Sequence, residues 1–185
     1  MKIVLDGNIG CGKSSILNNF KNHPKINIYN EPLDIWSDWL KLYYTDMSKY
    51  AFGFQMRVLK SHMNYKNISD GFFERSPISC QNIFGKLLYD EKFMNKIEWD
   101  LTKEFNQDYG WVPDIIIYLK CPPEVCLERI KNRNNKEDIS LEYLQKVHQE
   151  YEDLYGNNKL NLKIIIIDAT QNIDTIIEKI NKIIL

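Results

Sequence analysis

Short apolar runs alternate along the chain with longer stretches whose apolar residues recur at helical spacing. That alternation predicts parallel strands joined by helices, an α/β architecture. The runs place five strands, at 3–6, 26–30, 71–74, 115–119 and 162–168. The segments "DIIIYL" and "LKIIIID" are apolar at consecutive rather than alternate positions. Strands covered on both faces read that way, as those of parallel sheets do. Helical spacing predicts helices over 14–22, 48–62, 77–89, 92–105, 124–132, 141–155 and 173–184. Ser48 is placed as an N-cap, and Pro77 suits a first helical turn after Ser76. Residues 133–139, "RNNKEDI", are polar and charged between two helices and read as a surface loop. No repeat or linker breaks the pattern, so residues 1–185 are expected to form a single domain.

Composition narrows the classes of function. With 44% hydrophobic and 26% charged residues the chain is ordinary for a globular protein. A formal net charge of -1 gives no basic surface for nucleic acid or membrane. Cys11, Cys80, Cys121 and Cys126 show neither paired zinc spacing nor a redox CxxC. Reduced thiols in the cytoplasm, a host's cytoplasm for a viral chain, are therefore expected. With a strand under way at Ile3 no cleavable targeting segment is expected, and no apolar run approaches membrane-spanning length.

The chemistry starts at Gly7-Asn8-Ile9-Gly10-Cys11-Gly12-Lys13-Ser14-Ser15. Residues 7–14 fit G-x-x-x-x-G-K-[ST] between a predicted strand and a predicted helix. The glycines let backbone N–H groups converge on phosphate oxygens. In such a loop Lys13 reaches the β- and γ-phosphates and Ser14 holds Mg²⁺. Cys11 reads as a small tolerated side chain, not a nucleophile. The motif predicts nucleoside triphosphate binding without separating a kinase from a GTPase or a motor.

In an α/β sheet ligands bind beyond the carboxyl ends of the strands. The second and third predicted strands deliver Glu31-Pro32 and Glu74-Arg75-Ser76 to that rim. Glu31 there can accept a proton from an attacking hydroxyl, Arg75 can neutralise a phosphoryl group in transfer, and Glu74 can help place Mg²⁺. Taken singly, Glu31 also suits a solvated strand end, and Glu74-Arg75 a surface ion pair. Their coincidence with the phosphate loop favours phosphoryl transfer. On the predicted helix 48–62, Gln55, Val58 and His62 share one face. A side-chain amide matches a nucleobase edge, although a lone Gln or His also suits a surface. Cys80 and Phe84, four residues apart, equally suit a core.

Further segments extend the pattern: "NEPLDIW", "YY" at 43–44, "FGFQ", "FFERS", "YLKCPPEVCLERI" and "LEYLQKVHQEYEDL". In this order and at these separations they resemble the deoxyribonucleoside kinase family, over most of the chain. Its members include deoxycytidine, deoxyguanosine, mitochondrial thymidine and insect broad-specificity kinases. The resemblance implies a P-loop kinase fold: a five-stranded parallel sheet flanked by helices, with a short arginine-bearing lid near 129–139. It also implies ATP as donor, Mg²⁺, a deoxynucleoside acceptor phosphorylated on its 5′-hydroxyl, and a homodimer formed through helices flanking the third strand.

By the same resemblance Glu31 is the base that deprotonates the 5′-hydroxyl, and Arg75 touches that oxygen and the phosphoryl group. Glu74 and Ser14 serve Mg²⁺. Tyr44 bonds the sugar 3′-hydroxyl and Gln55 pairs with the base. Trp36, Tyr43, Phe54 and Phe84 wall or stack on the base. Arg129 and Arg133 are the lid arginines that close over the donor phosphates. This chain departs from its relatives in places. Their next lid arginine falls at Asn135, where Lys131 or Lys136 compensates or charge stabilisation is weaker. The lid is about two residues short, so the acid reaching the 3′-hydroxyl is Glu137 or Asp138, with Glu137 preferred. Members favouring deoxycytidine and purines place an Arg and an Asp where His62 and Cys80 stand. Val58, His62 and Cys80 lack that pair, which tilts the expectation to pyrimidines, thymidine first. His62 can still donate to a carbonyl oxygen, which keeps purines open.

Three rivals remain. A nucleoside monophosphate kinase such as thymidylate kinase needs extra basic residues for its acceptor's phosphate, whereas an acid at Glu31 suits a neutral hydroxyl. A GTPase needs an N-K-x-D motif after a late strand, and "IIYLKCPPE" and "IIIIDATQN" contain none. A non-catalytic P-loop module should have lost its base or its arginine, and both are present.

Overall fold

The computed structural model describes residues 1–133 and 139–184. The chain divides into two compact units: Met1–Asn30 with Asp70–Glu74 and Pro113–Leu185, and Glu31–Ser69 with Arg75–Val112.

The first unit holds the five-stranded parallel sheet expected from the apolar runs. Its strands are β1 (Lys2–Gly7), β2 (Ile28–Tyr29), β3 (Gly71–Glu74), β4 (Ile115–Lys120) and β5 (Ile164–Asp168), in the order β2-β3-β1-β4-β5. β3 and most of β4 are buried at consecutive positions, as strands covered on both faces must be. β2 is only two residues long, where the sequence predicts five over 26–30, because Ile26 is held in a turn by the carbonyl of His23. β5 begins at Ile164 rather than 162, since the Leu162 amide donates to the Asn158 side chain instead of a strand.

On one face Ile3 and Leu5 of β1 pack with Leu17, Phe20, Ile176 and Ile180. Each such side chain taken out of water contributes about 1.5–3 kcal/mol. The first of the unit's helices, Lys13–Asn19, ends earlier than the spacing predicts, the chain turning at Phe20 and His23. Then come Pro123–Lys131, Leu141–Tyr151 running into a π-helical turn at Glu152–Gly156, and Ile173–Ile184.

The second unit is helical. Its first helix, Leu33–Thr45, has no counterpart in the predicted elements. Trp36 and Tyr43 turn inward, but Leu33, Ile35, Trp39 and Leu42 are exposed, so the apolar stripe is blurred. Met47–Met63 is capped by Asp46, whose side chain accepts from the Lys49 amide at 3.1 Å, not by Ser48. Residues 77–90 form one continuous helix with Pro77 in its first turn, and its middle, Cys80–Gly85, is π-helical. The last helix is Lys96–Tyr109 rather than 92–105. A reciprocal cap sets its start: the Glu98 amide donates to Asn95 Oδ1 at 3.0 Å and the Asn95 amide to Glu98 Oε2 at 2.8 Å. Two clusters fill the unit, Trp36/Val58/Leu59/Cys80 and Tyr43/Ala51/Leu88/Met94, and Phe54 packs against both.

All four cysteines are buried, and none is in a disulfide. Among the described residues no helix is long and apolar enough to cross a membrane.

Candidate active site

In the first unit the phosphate loop leaves β1 with Gly7, Gly10 and Gly12 at φ of 147°, 81° and 107°. A Cβ on Gly10 would lie 2.6 Å from the Cys126 carbonyl oxygen, so both backbone conformation and space demand glycine there. Lys13 is buried, and its Nζ donates to the carbonyls of Gly7 (3.1 Å) and Asn8 (2.9 Å). The ammonium thus lies inside the curve of the loop. Asn8 donates from Nδ2 to the Leu144 carbonyl at 2.9 Å and accepts the Ile9 amide at 2.8 Å, so its side chain pins the loop to a neighbouring helix. Ser14 and Ser15 are exposed beyond it.

Ser14 Oγ donates to Glu74 Oε1 at 2.9 Å. The structure thus brings together the hydroxyl and the carboxylate that the sequence assigns to Mg²⁺. Among the described residues no three acidic, His or Cys side chains cluster as a protein-only metal site. A pair of hard oxygen donors suits an ion that keeps its waters and takes phosphate oxygens.

Arg129, expected in the lid, lies in the last turn of helix Pro123–Lys131. Its guanidinium donates to the Cys11 carbonyl at 3.0 Å and to the Ala169 carbonyl at 2.9 Å. It braces the loop against the segment after β5. Arg133 is exposed beyond the helix end. Both arginines line a cavity of about 370 Å³ with Cys11, Gly12, Ser15 and Gln171. Ala169, Gln171 and Ile173 are missing from the sequence-derived site. "DATQN" at the carboxyl end of the last strand is the signal that could have found them. Glu137, Asp138, Asn135 and Lys136 lie outside the described residues.

The second unit gathers the residues assigned to the acceptor. Arg75 Nη1 and Glu31 Oε2 form an ion pair at 2.5 Å, with side chains only 8% and 9% exposed. Arg75 has φ of 60°, a left-handed conformation that costs a non-glycine residue about 1–3 kcal/mol. Its guanidinium carbon sits 4.8 Å from the centre of the Phe84 ring. Glu31 and Phe84 thus fix the arginine on two sides.

Gln55 is buried rather than facing water, and its Nε2 donates to the Cys80 carbonyl at 2.7 Å. Gly85 makes room for that amide, since a Cβ there would come within 2.8 Å of Nε2. Gln55 Oε1 and the second Nε2 hydrogen are the groups left for a ligand. Val58, His62 and Cys80 are all buried. Trp36 donates from Nε1 to Ser61 Oγ at 2.8 Å, and its ring lies 6.1 Å from that of His62. Tyr43 stacks on Phe54 at 5.2 Å, and burial pushes its hydroxyl up to a pKa of about 12. Tyr44, beside it, is 47% exposed. The structure therefore groups Trp36, Phe54, Val58 and Cys80 in one apolar wall, with Tyr43 joined through Phe54.

A family model for deoxynucleoside kinases matches residues 3–185 of this chain. A probable deoxycytidine kinase of Fowlpox virus is 30% identical over 95% of this chain and 80% of its own length. Mitochondrial thymidine kinase 2 of Homo sapiens is 27% identical over 95% of this chain and 73% of its own. Among solved structures, deoxyadenosine kinase from M. mycoides with its products dCMP and a flexible dCDP superposes with a TM-score of 0.86. It is 28% identical and covers 99% of this chain and 98% of that one.

Proposed function

The chain belongs to the deoxynucleoside kinase family, and we propose that it phosphorylates the 5′-hydroxyl of a pyrimidine deoxynucleoside, thymidine before the others. ATP is the donor, as for the family. The observation that supports this acceptor most is the buried Glu31–Arg75 pair, with the guanidinium resting on Phe84. An acid so placed suits a neutral hydroxyl, where an acceptor phosphate would require further cations.

In the proposed reaction Glu31 takes the proton of the 5′-hydroxyl as that oxygen forms its bond to the γ-phosphorus. The bond from γ-phosphorus to the bridging oxygen breaks, and ADP carries away the electron pair. Arg75 bonds the attacking oxygen and the phosphoryl group, and Lys13 holds the β- and γ-phosphates. Ser14 and Glu74 would hold Mg²⁺, which when bound neutralises charge on the donor phosphates. Gly7 to Ser15 wrap the phosphates through the backbone, with Arg129 supporting the loop and Arg133 beside the donor cavity. Gln55 reads the base edge, and Trp36, Tyr43, Phe54 and Phe84 enclose the ring. Tyr44 and Glu137 hold the 3′-hydroxyl. With Val58, His62 and Cys80 the base pocket offers few polar groups to reward an amino substituent, which favours thymidine.

We further propose a homodimer, supported by the resemblance and by Ile97 (81% exposed) and Leu101 (47%) on helix Lys96–Tyr109. Sedimentation of the purified protein tests it, and a monomer at micromolar concentration would refute it. The activity is tested by offering the four deoxynucleosides side by side with ATP and Mg²⁺. Thymidine should give the highest kcat/KM. A higher value for a purine overturns the preference, and turnover of monophosphates alone overturns the acceptor.

A further inference from the structure

Asp6 is the residue just before the phosphate loop, and it is fully buried. Its side chain emerges on the sheet face it shares with Tyr118 of β4, opposite it in register. A carboxyl group on such a face is costly unless its acceptors are filled, and an apolar residue would pack there at no such cost. Here they are filled from one helix. Tyr151 donates its hydroxyl to Asp6 Oδ1 at 2.6 Å, and Tyr155 donates to Oδ2 at 3.0 Å. Both tyrosines pack around Tyr118, whose ring stacks on Tyr151 at 5.5 Å and 10°. Tyr118 in turn donates to Glu152 at 2.8 Å. The turn carrying Tyr155 is the π-helical one at Glu152–Gly156, which opens the helix where the two hydroxyls converge.

The same Oδ1 that takes Tyr151 also accepts the amide of Gly7 at 2.9 Å. Gly7 is thus held at its N–H by Asp6 and at its carbonyl by Lys13. Leu144 of the same helix accepts from Asn8. Three residues of one helix therefore reach the two side chains that flank the loop's first glycine.

We propose that Tyr151 and Tyr155 are positioning residues for the donor: through Asp6 they fix Gly7, and with it the curvature of the phosphate loop. In this role the tyrosines act through Asp6, to which both donate. From the proposed function this takes only that the loop holds the phosphates of ATP.

The test is a Tyr151→Phe/Tyr155→Phe double variant, which keeps both rings and removes both hydroxyls. ATP affinity by calorimetry and the KM values for ATP and nucleoside are measured beside a thermal melt. Loss of the two donors should weaken ATP binding and raise its KM by about tenfold, with the nucleoside KM within about twofold of wild type. A purely structural role would lower the melting temperature without moving the ratio of the two KM values, and that result overturns the proposal. Should the double variant not fold, Tyr151→Phe alone is decisive, because its hydroxyl shares Oδ1 with the Gly7 amide. Asp6→Asn keeps an oxygen for Gly7 and should retain most ATP affinity. Lys13→Met separates the two levels. If it binds ATP normally, the loop is not the donor site. If it loses ATP while the tyrosine variants do not, only the positioning role falls.

Discussion

Replacing Glu31 by Gln isolates the proposed chemistry from the fold. The carboxylate lies 2.5 Å from Arg75 with both side chains over nine-tenths buried. Glu31→Ala would strip a buried guanidinium of its partner, at about 3–5 kcal/mol of stability. Gln keeps an oxygen at the same reach, so the cost shrinks to the difference between a charged and a neutral hydrogen bond, about 1–2 kcal/mol. The chemical cost is separate. Loss of a positioned general base is worth about 10²–10⁴ in rate, or roughly 2.7–5.4 kcal/mol of barrier. ATP-dependent phosphorylation of thymidine gives kcat, calorimetry gives nucleoside affinity, and a thermal melt checks the fold. The expected result is a kcat reduced by about 10²–10⁴ in a folded protein that still binds nucleoside. Wild-type kcat in Glu31→Gln would remove the residue from the chemistry. A loss confined to KM would make it a binding group.

Three other perturbations follow from the geometry. Gly10→Ala places a Cβ 2.6 Å from the Cys126 carbonyl at φ of 81°, so overpacking of about 1–3 kcal/mol adds to backbone strain, and calorimetric melting should show the loss. Ser14→Ala removes the hydroxyl that meets Glu74 at 2.9 Å. It should raise the Mg²⁺ needed for half-maximal rate by on the order of tenfold, read from a Mg²⁺ titration at fixed ATP. Tyr43, with its pKa pushed up to about 12 from 10.0 by burial, keeps its proton in the fold while the unfolded chain loses it. Its contribution is complete below pH 10.0 and falls with slope about 1.4 kcal/mol per pH unit between there and about 12. Denaturant melts at alkaline pH, compared with Tyr43→Phe, measure that slope.

What the sequence made legible is what periodicity and spacing encode. Consecutive apolar positions in 115–119 gave β4 and its double coverage, and the glycine spacing of residues 7–14 gave the loop. The Leu33–Thr45 helix stayed hidden because its outward face carries Ile35, Trp39 and Leu42. The Lys96–Tyr109 helix could have been placed better, since Asn95 and Glu98 stand at the spacing of a capping box. In the site, residue types were legible but their commitments were not. Nothing in "LERI" says that Arg129 spends its guanidinium on two backbone carbonyls. Nor does "FGFQ" say that Gln55 turns its amide to Cys80, because that carbonyl is presented by a helical turn with no sequence signature. Asp6 passed as an ordinary strand end, since its partners lie 145 and 149 residues away.

The π-helical turn at Cys80–Gly85 has a consequence for how this protein can be altered. Such a turn holds one residue more than the α-helix on either side of it. At its start Cys80 offers a carbonyl to Gln55, and near its end Phe84 lies under Arg75. Chain length, as well as residue identity, is therefore fixed between those two positions. Removing a single residue there would let the helix close into regular α-geometry with its two flanks still in register, so only the groups that the wide turn presents would move. Point substitutions at 81–83 leave that spacing intact, whereas a one-residue deletion would close the wide turn that presents the Cys80 carbonyl to Gln55 and so release the amide proposed to read the base.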